Sequence, residues 1–346
     1  MKLIDRISNV LHITFCDKKK WIDEYDVRYW ISDIVGLRLY SIDEQKHHQN
    51  VYAYLKRNLR PIIKKYCRIA QKNNGSMSTK DHVITSDRVP IWVCWWQGEN
   101  QMPELVQVCY KSLHDMMPNI CDITLITEKN IDQYIEIPPR IMKLFNEGKI
   151  TLTHLSDAIR VLLINKYGGF WVDATYYFAR PLQQNEVDMP FFTRRRNSIL
   201  TKGSVSSGRW SYNYIKGSED DIFFHFLWDA LEFYWNKHEL LIDPLIMDYE
   251  VWLAYDCIPG VKERILKLPY TDSETTALNG IINDAFNEHD WNELLQKNKV
   301  FKLTYKKELL KKNKDGLITY WGYILDNYKE KNKCNIRMET NNNEVE

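Results

Sequence analysis

Apolar residues at the start of the chain recur at spacings of three and four, with long charged side chains between them. This pattern covers residues 21–40 and 44–70 and predicts amphipathic helices. A polar stretch at 71–76, with the sequence QKNNGS, follows and predicts a loop or linker. We therefore expect a helical N-terminal region over residues 1–80.

From residue 85 onward the pattern changes to short apolar runs separated by polar residues. Residues 89–96 are rich in β-forming side chains, which predicts a buried strand that is interrupted by the polar residues 97–100. Residues 104–116 have helix character, and 123–126 predict a second strand. A strand, a helix and a strand in this order indicate a βαβ unit and a parallel sheet.

The clearest helix prediction covers residues 151–167. Its apolar stripe has the spacing of one buried helix face and consists of Leu155, Ala158, Ile159, Leu162 and Leu163. Thr153 is the expected N-cap, and Gly168 suits a left-handed cap at the other end. Residues 170–172 then predict a strand, and Asp173 stands near its end, where open α/β sheets place their ligands.

The rest of the sequence is less regular. Residues 222–235 and 244–255 predict helices, the second with Pro244 in its first turn, and 302–306 predict a strand. The polar C-terminus predicts a disordered tail. We divide the chain into the helical region at 1–80, an α/β domain at 85–335 and the tail at 336–346.

Composition and charge exclude several classes of protein. The chain is 44% hydrophobic and 27% charged, as soluble globular proteins are, and its net charge of +1 argues against a nucleic-acid partner. The seven cysteines include no C-x-x-C pair, which argues against a disulfide framework and a structural zinc site. Short basic runs, such as 194–196, are expected to be solvated faces.

Cellular location is predicted from what the sequence lacks. No apolar run is long enough to span a bilayer, and the N-terminus has no signal-peptide core. Unpaired cysteines are typical of a reducing compartment. We therefore expect a cytoplasmic protein, which can still touch a membrane surface.

Three charged residues near the predicted strand at 170–172 are candidates for chemistry. By itself, Asp173 is more typical of a turn cap than of a ligand-binding carboxylate. Asp157 and Arg160 are three residues apart on the predicted helix, opposite the apolar stripe. On spacing alone they indicate a surface ion pair worth about 0.2–0.5 kcal/mol.

A set of motifs in a fixed order alters that interpretation. Residues 92–98 are WVCWWQG and 102–103 are MP, and Cys109 and Ser112 follow on the next helix. Residues 156–160 are SDAIR and lead into 167–175, YGGFWVDAT. In order and spacing, these motifs resemble the capsular polysaccharide synthesis proteins, relatives of glycosyltransferase family 32. The resemblance covers residues 85–310 and is most distinctive over 89–182.

The resemblance implies a GT-A fold, in which a Rossmann-like α/β domain binds a nucleotide-sugar, here with added helices at the N-terminus and in the C-terminal half. It implies a glycosyltransferase that moves a sugar from a nucleotide-sugar donor, a UDP-sugar, with retention. The implied acceptor is a glycan or lipid-linked glycan of surface or capsular polysaccharide synthesis. Such an acceptor would bring the protein to the inner face of the cell membrane.

The resemblance also carries roles over to individual residues. Trp95 is implied to contact or stack on the nucleotide base, and the backbone at Gln97 and Gly98 to approach the nucleotide. Thr175 belongs to the same donor-binding set.

The implied catalytic set consists of Asp157, Arg160 and Asp173. Asp157 is expected to bind hydroxyls of the donor sugar, Arg160 the sugar or the diphosphate, and Asp173 the ribose and a metal. Retaining GT-A enzymes often lack a clear protein nucleophile, so no catalytic base is assigned. Stabilisation of the leaving group is expected to carry most of the catalysis.

The implied cofactor is a divalent metal, Mn²⁺ or Mg²⁺, which meets the charge on the leaving diphosphate. Relatives in family 32 usually carry Asp-x-Asp, whose second carboxylate binds the metal directly. Here Thr175 takes that place, as in the capsular branch, so the expected ligands are Asp173, Thr175 and Asp248. Asp248 and Lys302 are candidates for compensating charge.

Three alternatives remain open. A catalytically degenerate protein that binds a nucleotide or glycan without turnover is favoured by Thr175. A phosphotransferase of the haloacid dehalogenase type also uses an Asp at a strand end, but it needs a second Asp where Thr175 stands. A helical interaction protein built on residues 1–70 leaves residues 89–182 unexplained.

Overall fold

The computed structural model of the protein describes residues 24–25, 44–74, 76–77, 88–196, 204–271 and 274–329. Of the helix predicted at 21–40, only residues 24–25 lie in these ranges, and they are helical. The tail predicted at 336–346 lies outside the described residues. The architecture is mixed α/β, with a central sheet of five strands.

The central sheet combines parallel and antiparallel strands. Its members are β1 (Val89–Cys94), β2 (Cys121–Ile126), β3 (Gly169–Val172), β5 (Phe192–Thr193) and β6 (Tyr214–Gly217). They lie in the order β2-β1-β3-β6-β5, with β1 parallel to β2 and β3, and β6 antiparallel to β3 and β5. A separate antiparallel pair is formed by β4 (Tyr176–Phe178) and β7 (Val300–Lys302). The predicted parallel unit is confirmed by β1 and β2.

Helices pack on both faces of this sheet. They are α1 (Glu44–Asn58), α2 (Arg60–Lys72), α3 (Glu104–Met116), α4 (Pro139–Asn146), α5 (Leu152–Tyr167), α6 (Gln184–Val187), α7 (Ile222–Lys237), α8 (Ile246–Cys257), α9 (Val261–Lys267), α10 (Ala277–Ile281) and α11 (Glu288–Lys297). Short 3₁₀ turns cover Glu99–Gln101 and Ile131–Gln133. A further helix covers residues 320–329. None of the helices in the described ranges has the length and apolar character needed to cross a membrane.

The central strands bury both of their faces. Trp92 and Trp171 lie in the apolar cluster formed with α5, whereas Ile91, Val93 and Phe170 lie in the cluster on the opposite face. This alternation follows from the period of two along a strand. The opposite cluster is completed by residues of α3, β4 and α6.

The helical stretch predicted at 44–70 is confirmed, but it consists of two helices, α1 and α2. Pro61 lies in the first turn of α2, where its missing N–H is tolerated, so the periodic stretch is divided before it. Tyr54, Leu55 and Tyr66 are buried in the same apolar cluster as α7 and α8. The proposed division of the chain into domains stays a prediction.

Helix α5 is enclosed by the sheet on one side and by α4 and α7 on the other. Its N-cap is Thr151, which forms a reciprocal capping box with His154, so the prediction of Thr153 as N-cap is wrong. Gly168 ends the helix with the positive φ expected of it, 63°. Its ψ of −158° lies outside the left-handed helical region.

Two other boundaries differ from prediction. Helix α8 begins at Ile246, beyond Pro244, because the Asp243 side chain accepts a hydrogen bond from the Leu245 N–H at 2.7 Å and holds a turn there. The strand predicted at 302–306 is instead β7 and ends at Lys302. Its partner β4 has only three residues, which limits the length of the pair.

Candidate functional site

Asp173 directly follows β3, at the sheet edge where the parallel strands β1 and β2 also end. Gly169 begins β3 with a φ of 88°, and a Cβ there would lie 2.2 Å from the Pro90 carbonyl oxygen. Only glycine therefore lets β3 pack this closely on β1. The Tyr176 N–H donates to the Asp173 carbonyl at 3.0 Å and closes a turn after the carboxylate.

The Asp173 carboxylate accepts hydrogen bonds on both oxygens. The Lys302 ammonium donates to Oδ2 at 2.7 Å and the Trp171 indole to Oδ1 at 2.9 Å, while Arg160 Nη2 is 3.4 Å from Oδ1. Burial would raise the pKa of Asp173, but Lys302 and Arg160 outweigh it and hold that pKa below its usual range. Asp173 is therefore a carboxylate at neutral pH, and 29% of its side chain stays exposed.

Lys302 reaches this position through the pairing of β4 with β7. In that antiparallel pair Lys302 lies opposite Tyr176, which follows Asp173 by three residues. The Leu303 N–H also donates to the Thr175 carbonyl at 2.9 Å and continues the contact. The expectation that Lys302 supplies charge near Asp173 is thus supported by a direct ion pair.

Asp157 and Arg160 form a buried ion pair and not the surface pair indicated by spacing alone. Their closest atoms are 2.8 Å apart, and the side chains are 3% and 4% exposed. The Arg160 guanidinium lies 4.9 Å from the Trp171 ring and 4.8 Å from the Tyr212 ring. These two rings cover the face of α5 that the sequence assigned to solvent.

Further carboxyl groups surround this pair. Burial raises the pKa of Asp157 to about 6, although Arg160 opposes the shift. Burial likewise raises the pKa of Asp248 to about 7. The Asp157 charge adds to this rise, and the hydrogen bond that the Trp210 indole donates to Asp248 at 2.8 Å opposes it. Glu250 is 0% exposed, and burial raises its pKa well above the usual range. The predicted residue Asp248 therefore belongs to the same charge cluster.

The end of β1 lies beside Asp173. Extending the parallel register of β1 and β3 places Cys94 opposite Asp173. Burial raises the pKa of the Cys94 thiol to about 12, and the Asp173 charge adds to the rise. The segment that begins at Trp95 therefore leaves the sheet at the same edge as Asp173.

This segment presents an aromatic ring and an open turn. The Trp95 ring meets Tyr305 edge to face at 5.7 Å between centroids, and its buried Nε1 has no hydrogen-bond partner within the described part of the chain. Gln97 is exposed, and Gly98 has a φ of 89° with open space around the position of a Cβ. The backbone here is accessible to a ligand.

Comparison with known proteins bears on these motifs. A family model described as capsular polysaccharide synthesis protein matches residues 36–323, which include all the site residues above. The chain belongs to the capsular polysaccharide synthesis protein family. Membership supports a role in capsule biosynthesis. A comparison with curated proteins finds no match.

A divalent metal does not fit the side-chain arrangement of this capsular polysaccharide synthesis protein. Across the described residues, no group of three His, Cys, Asp or Glu side chains is placed to hold a metal. Both Asp173 oxygens accept from N–H donors, and the nearby Lys302 ammonium would repel a dication. The metal assigned to Asp173, Thr175 and Asp248 stays a prediction that this arrangement does not support.

The arginine run at 194–196 is not the solvated face that its composition predicts. Arg194 is 2% exposed and Arg195 6% exposed. Arg195 donates to the carbonyls of Leu266 and Leu268 at 2.9 and 2.6 Å, at the end of α9. Arg194 lies 5.3 Å from the Tyr176 ring in β4. Arg194 and Arg195 are buried because they follow β5 and pack against β4 and the end of α9, whereas Arg196 is half-buried.

Several partners in this site were not predicted as such. Trp171 precedes Asp173 by two residues. Side chains two apart along a strand lie on the same face, so the contact between them could be predicted from the sequence. No local pattern points to Tyr212, Trp210 or Glu250. They reach the site through long-range packing.

Proposed function

We propose that this protein is a glycosyltransferase that transfers a sugar from a nucleotide-sugar donor, a UDP-sugar, to a glycan or lipid-linked glycan acceptor in capsular polysaccharide synthesis. The observation that carries the proposal is the charged cluster of Asp173, Arg160, Lys302 and Asp157 at the carboxyl end of β3. Ligands of open α/β sheets bind at such edges. A GT-A fold and kinship with glycosyltransferase family 32 belong to the same proposal.

In this proposal the donor nucleotide lies against the end of β1. The unpartnered indole N–H of Trp95 supports a polar contact with the nucleotide, and the open turn at Gly98 supports close backbone approach. Gln97 is exposed beside it. The ribose then lies toward Asp173.

The reacting groups lie between Asp157 and Asp173. Asp157 orients the donor sugar by accepting from its hydroxyls, and Arg160 and Lys302 face the diphosphate. The bond between the anomeric carbon and the phosphate oxygen breaks, the acceptor hydroxyl oxygen bonds to the same face, and its proton passes to the departing phosphate. The two cations act on the negative charge that grows on that phosphate.

The acceptor proposal concerns location as well. Five described cysteines, Cys67, Cys94, Cys109, Cys121 and Cys257, are free thiols. This is in keeping with a reducing compartment. We place the reaction in the cytoplasm, at the inner face of the membrane, where a lipid-linked acceptor would be found.

The test is release of free nucleotide from a panel of UDP- and GDP-sugars, with and without acceptor glycans. We expect release by the wild type and by Asp122→Ala, a control on the exposed face of β2, but not by Asp173→Ala. Equal release by Asp173→Ala would show the site to be misassigned.

A second candidate is a degenerate protein that binds nucleotide without turnover, which Thr175 favours because it replaces a carboxylate. Calorimetry with UDP and GDP separates the two. Binding of the nucleotide without release from any nucleotide-sugar of the panel supports the binding protein.

A further inference from the structure

Several arginines in and around the site have buried N–H donors without acceptors among the described residues, and two of them are Arg194 and Arg196. Nε and Nη1 of Arg194 and Nε of Arg196 are buried and have no hydrogen-bond partner among the residues that the structure describes. Arg194 is 2% exposed and makes only one side-chain hydrogen bond there, from Nη2 to the Ser211 hydroxyl at 3.3 Å. Buried donors of this kind are rare because each costs about 1–3 kcal/mol when left unpaired.

Both arginines belong to the surroundings of Asp173. They are two residues apart, and the Arg194 charge acts on Arg196. Arg194 and the Lys302 ammonium lie 5.3 and 4.9 Å from the centre of the same Tyr176 ring. The charge of Asp248 acts on Arg196 and opposes part of the fall in its pKa, so Arg196 also lies near the carboxyl cluster of the site.

A hydrogen-bond chain also connects Arg194 to the turn at Asp173. Its Ser211 partner donates to the Asn213 side chain at 2.7 Å, and the Tyr176 hydroxyl donates to the same oxygen at 2.8 Å. The Asn213 carbonyl accepts from the Asp173 N–H at 3.0 Å. The unsatisfied guanidinium is thus held in a fixed place relative to the carboxylate.

The two arginines are like charges that lie near each other without a directly paired anion among the described residues, and only Arg194 is fully buried. Burial and the Arg194 charge both lower the pKa of Arg196, and within the described ranges no carboxylate forms an ion pair with either arginine. An uncompensated buried charge is strongly unfavourable. Guanidinium groups match phosphate oxygens in geometry, and the bonds they form with them are among the strong ones.

The metal position at Asp173 is already taken by a cation. Lys302 is bonded to Oδ2, and Thr175 stands where a second carboxylate would be needed. We propose that side-chain cations, namely Lys302 on Asp173 and the pair Arg194 and Arg196, bind the donor diphosphate in place of a divalent metal. This inference rests on the proposed function, because it names what holds the leaving group of that reaction.

The experiment is calorimetric binding of UDP and of GDP to the full chain, first in excess EDTA and then with Mn²⁺. We expect either UDP or GDP to bind in EDTA, and Mn²⁺ to change the affinity by less than about threefold. This change is well below the contribution of one charge-assisted hydrogen bond to the binding free energy. Nucleotide release from the matching nucleotide-sugar is measured under both conditions.

Two variants and a control test the residues. Lys302→Met and Arg196→Met should each weaken nucleotide binding in EDTA by about tenfold or more. This is the affinity lost when one hydrogen bond to a charged group is removed. Arg196 is chosen over Arg194, whose deeper burial endangers folding. The control is Lys299→Met, since Lys299 lies just before β7 and pairs with Glu186 at 2.7 Å. It should bind as the wild type does.

The outcomes separate this inference from the proposed function. Binding and release that appear only with Mn²⁺ overturn the inference and leave the transferase in place. Affinities of Lys302→Met and Arg196→Met equal to that of Lys299→Met also overturn it. Absence of both binding and release, with and without Mn²⁺, overturns the two together.

Discussion

Replacing Arg160 with methionine removes the only ion-pair partner that the described structure gives to Asp157. The Asp157 side chain is 3% exposed, and burial raises its pKa to about 6 even with Arg160 beside it. Methionine keeps most of the apolar contact with Trp171 and Tyr212 but removes the charge. The variant therefore leaves a buried carboxyl without compensation.

The expected cost follows from that burial. Breaking a buried ion pair by removing one partner lowers the free energy of unfolding by about 3–5 kcal/mol. A second change, Asp157→Asn, should restore a large part of the loss, because no buried charge then remains. The penalty of Arg160→Met should grow as pH rises above about 6, the pKa of Asp157 in the folded wild type, since below it the buried carboxyl is protonated in both proteins.

The assay is urea unfolding followed by tryptophan fluorescence at pH 5 and pH 7. The control is Lys297→Met, which removes an exposed ion pair with Glu293 of 3.0 Å and should cost at most about 1 kcal/mol. If Arg160→Met loses no more stability than Lys297→Met, or loses the same at both pH values, the buried-pair reasoning is refuted.

Three further results are expected. Asp173→Ala should abolish nucleotide release with a melting temperature close to wild type, and simultaneous loss of folding would contradict its role as a ligand-binding residue. Burial raises the pKa of Asp248 from 3.8 to about 7, so between these pH values the folded chain holds a proton that the unfolded chain releases. The free energy of unfolding of the wild type should therefore fall from about pH 4 to pH 7. Urea unfolding of Asp248→Asn should show a smaller fall over the same range. Gly169→Ala should prevent folding, because its Cβ would meet the Pro90 carbonyl oxygen, and the measurement is the yield of soluble protein. Gly148→Ala is the control. A Cβ there has open space around it, but the φ is 68°, so this substitution should lower the free energy of unfolding by only about 1 kcal/mol.

Much of the local structure around the site could be predicted. The apolar stripe of α5, the two glycines after it and the short apolar run of β3 together predicted a helix, a turn and a strand that ends at Asp173. The boundary errors were small, as at Thr153, where the capping box begins two residues earlier. Local periodicity and glycine torsions carry this information because each depends on a few consecutive residues.

The environment of the charged residues could not be predicted in this way. Asp157 and Arg160 have the spacing of a surface pair, yet Trp171 and Tyr212 cover them. The arginine run at 194–196 has the composition of a solvated face, yet Arg194 and Arg195 are buried against β4 and α9. The burial of a residue depends on which other parts of the chain pack against it, and the spacing of residues in the sequence does not give that information.

The sequence by itself determined the family motifs, the parallel unit of β1 and β2, and the position of Asp173 at the end of β3. Only the tertiary structure decided what Asp173 touches. Lys302 is 129 residues away along the chain and reaches it because β7 pairs with β4 in one register. The choice of that register depends on the whole packed core, so the charge that meets the carboxylate is decided only when the chain is folded.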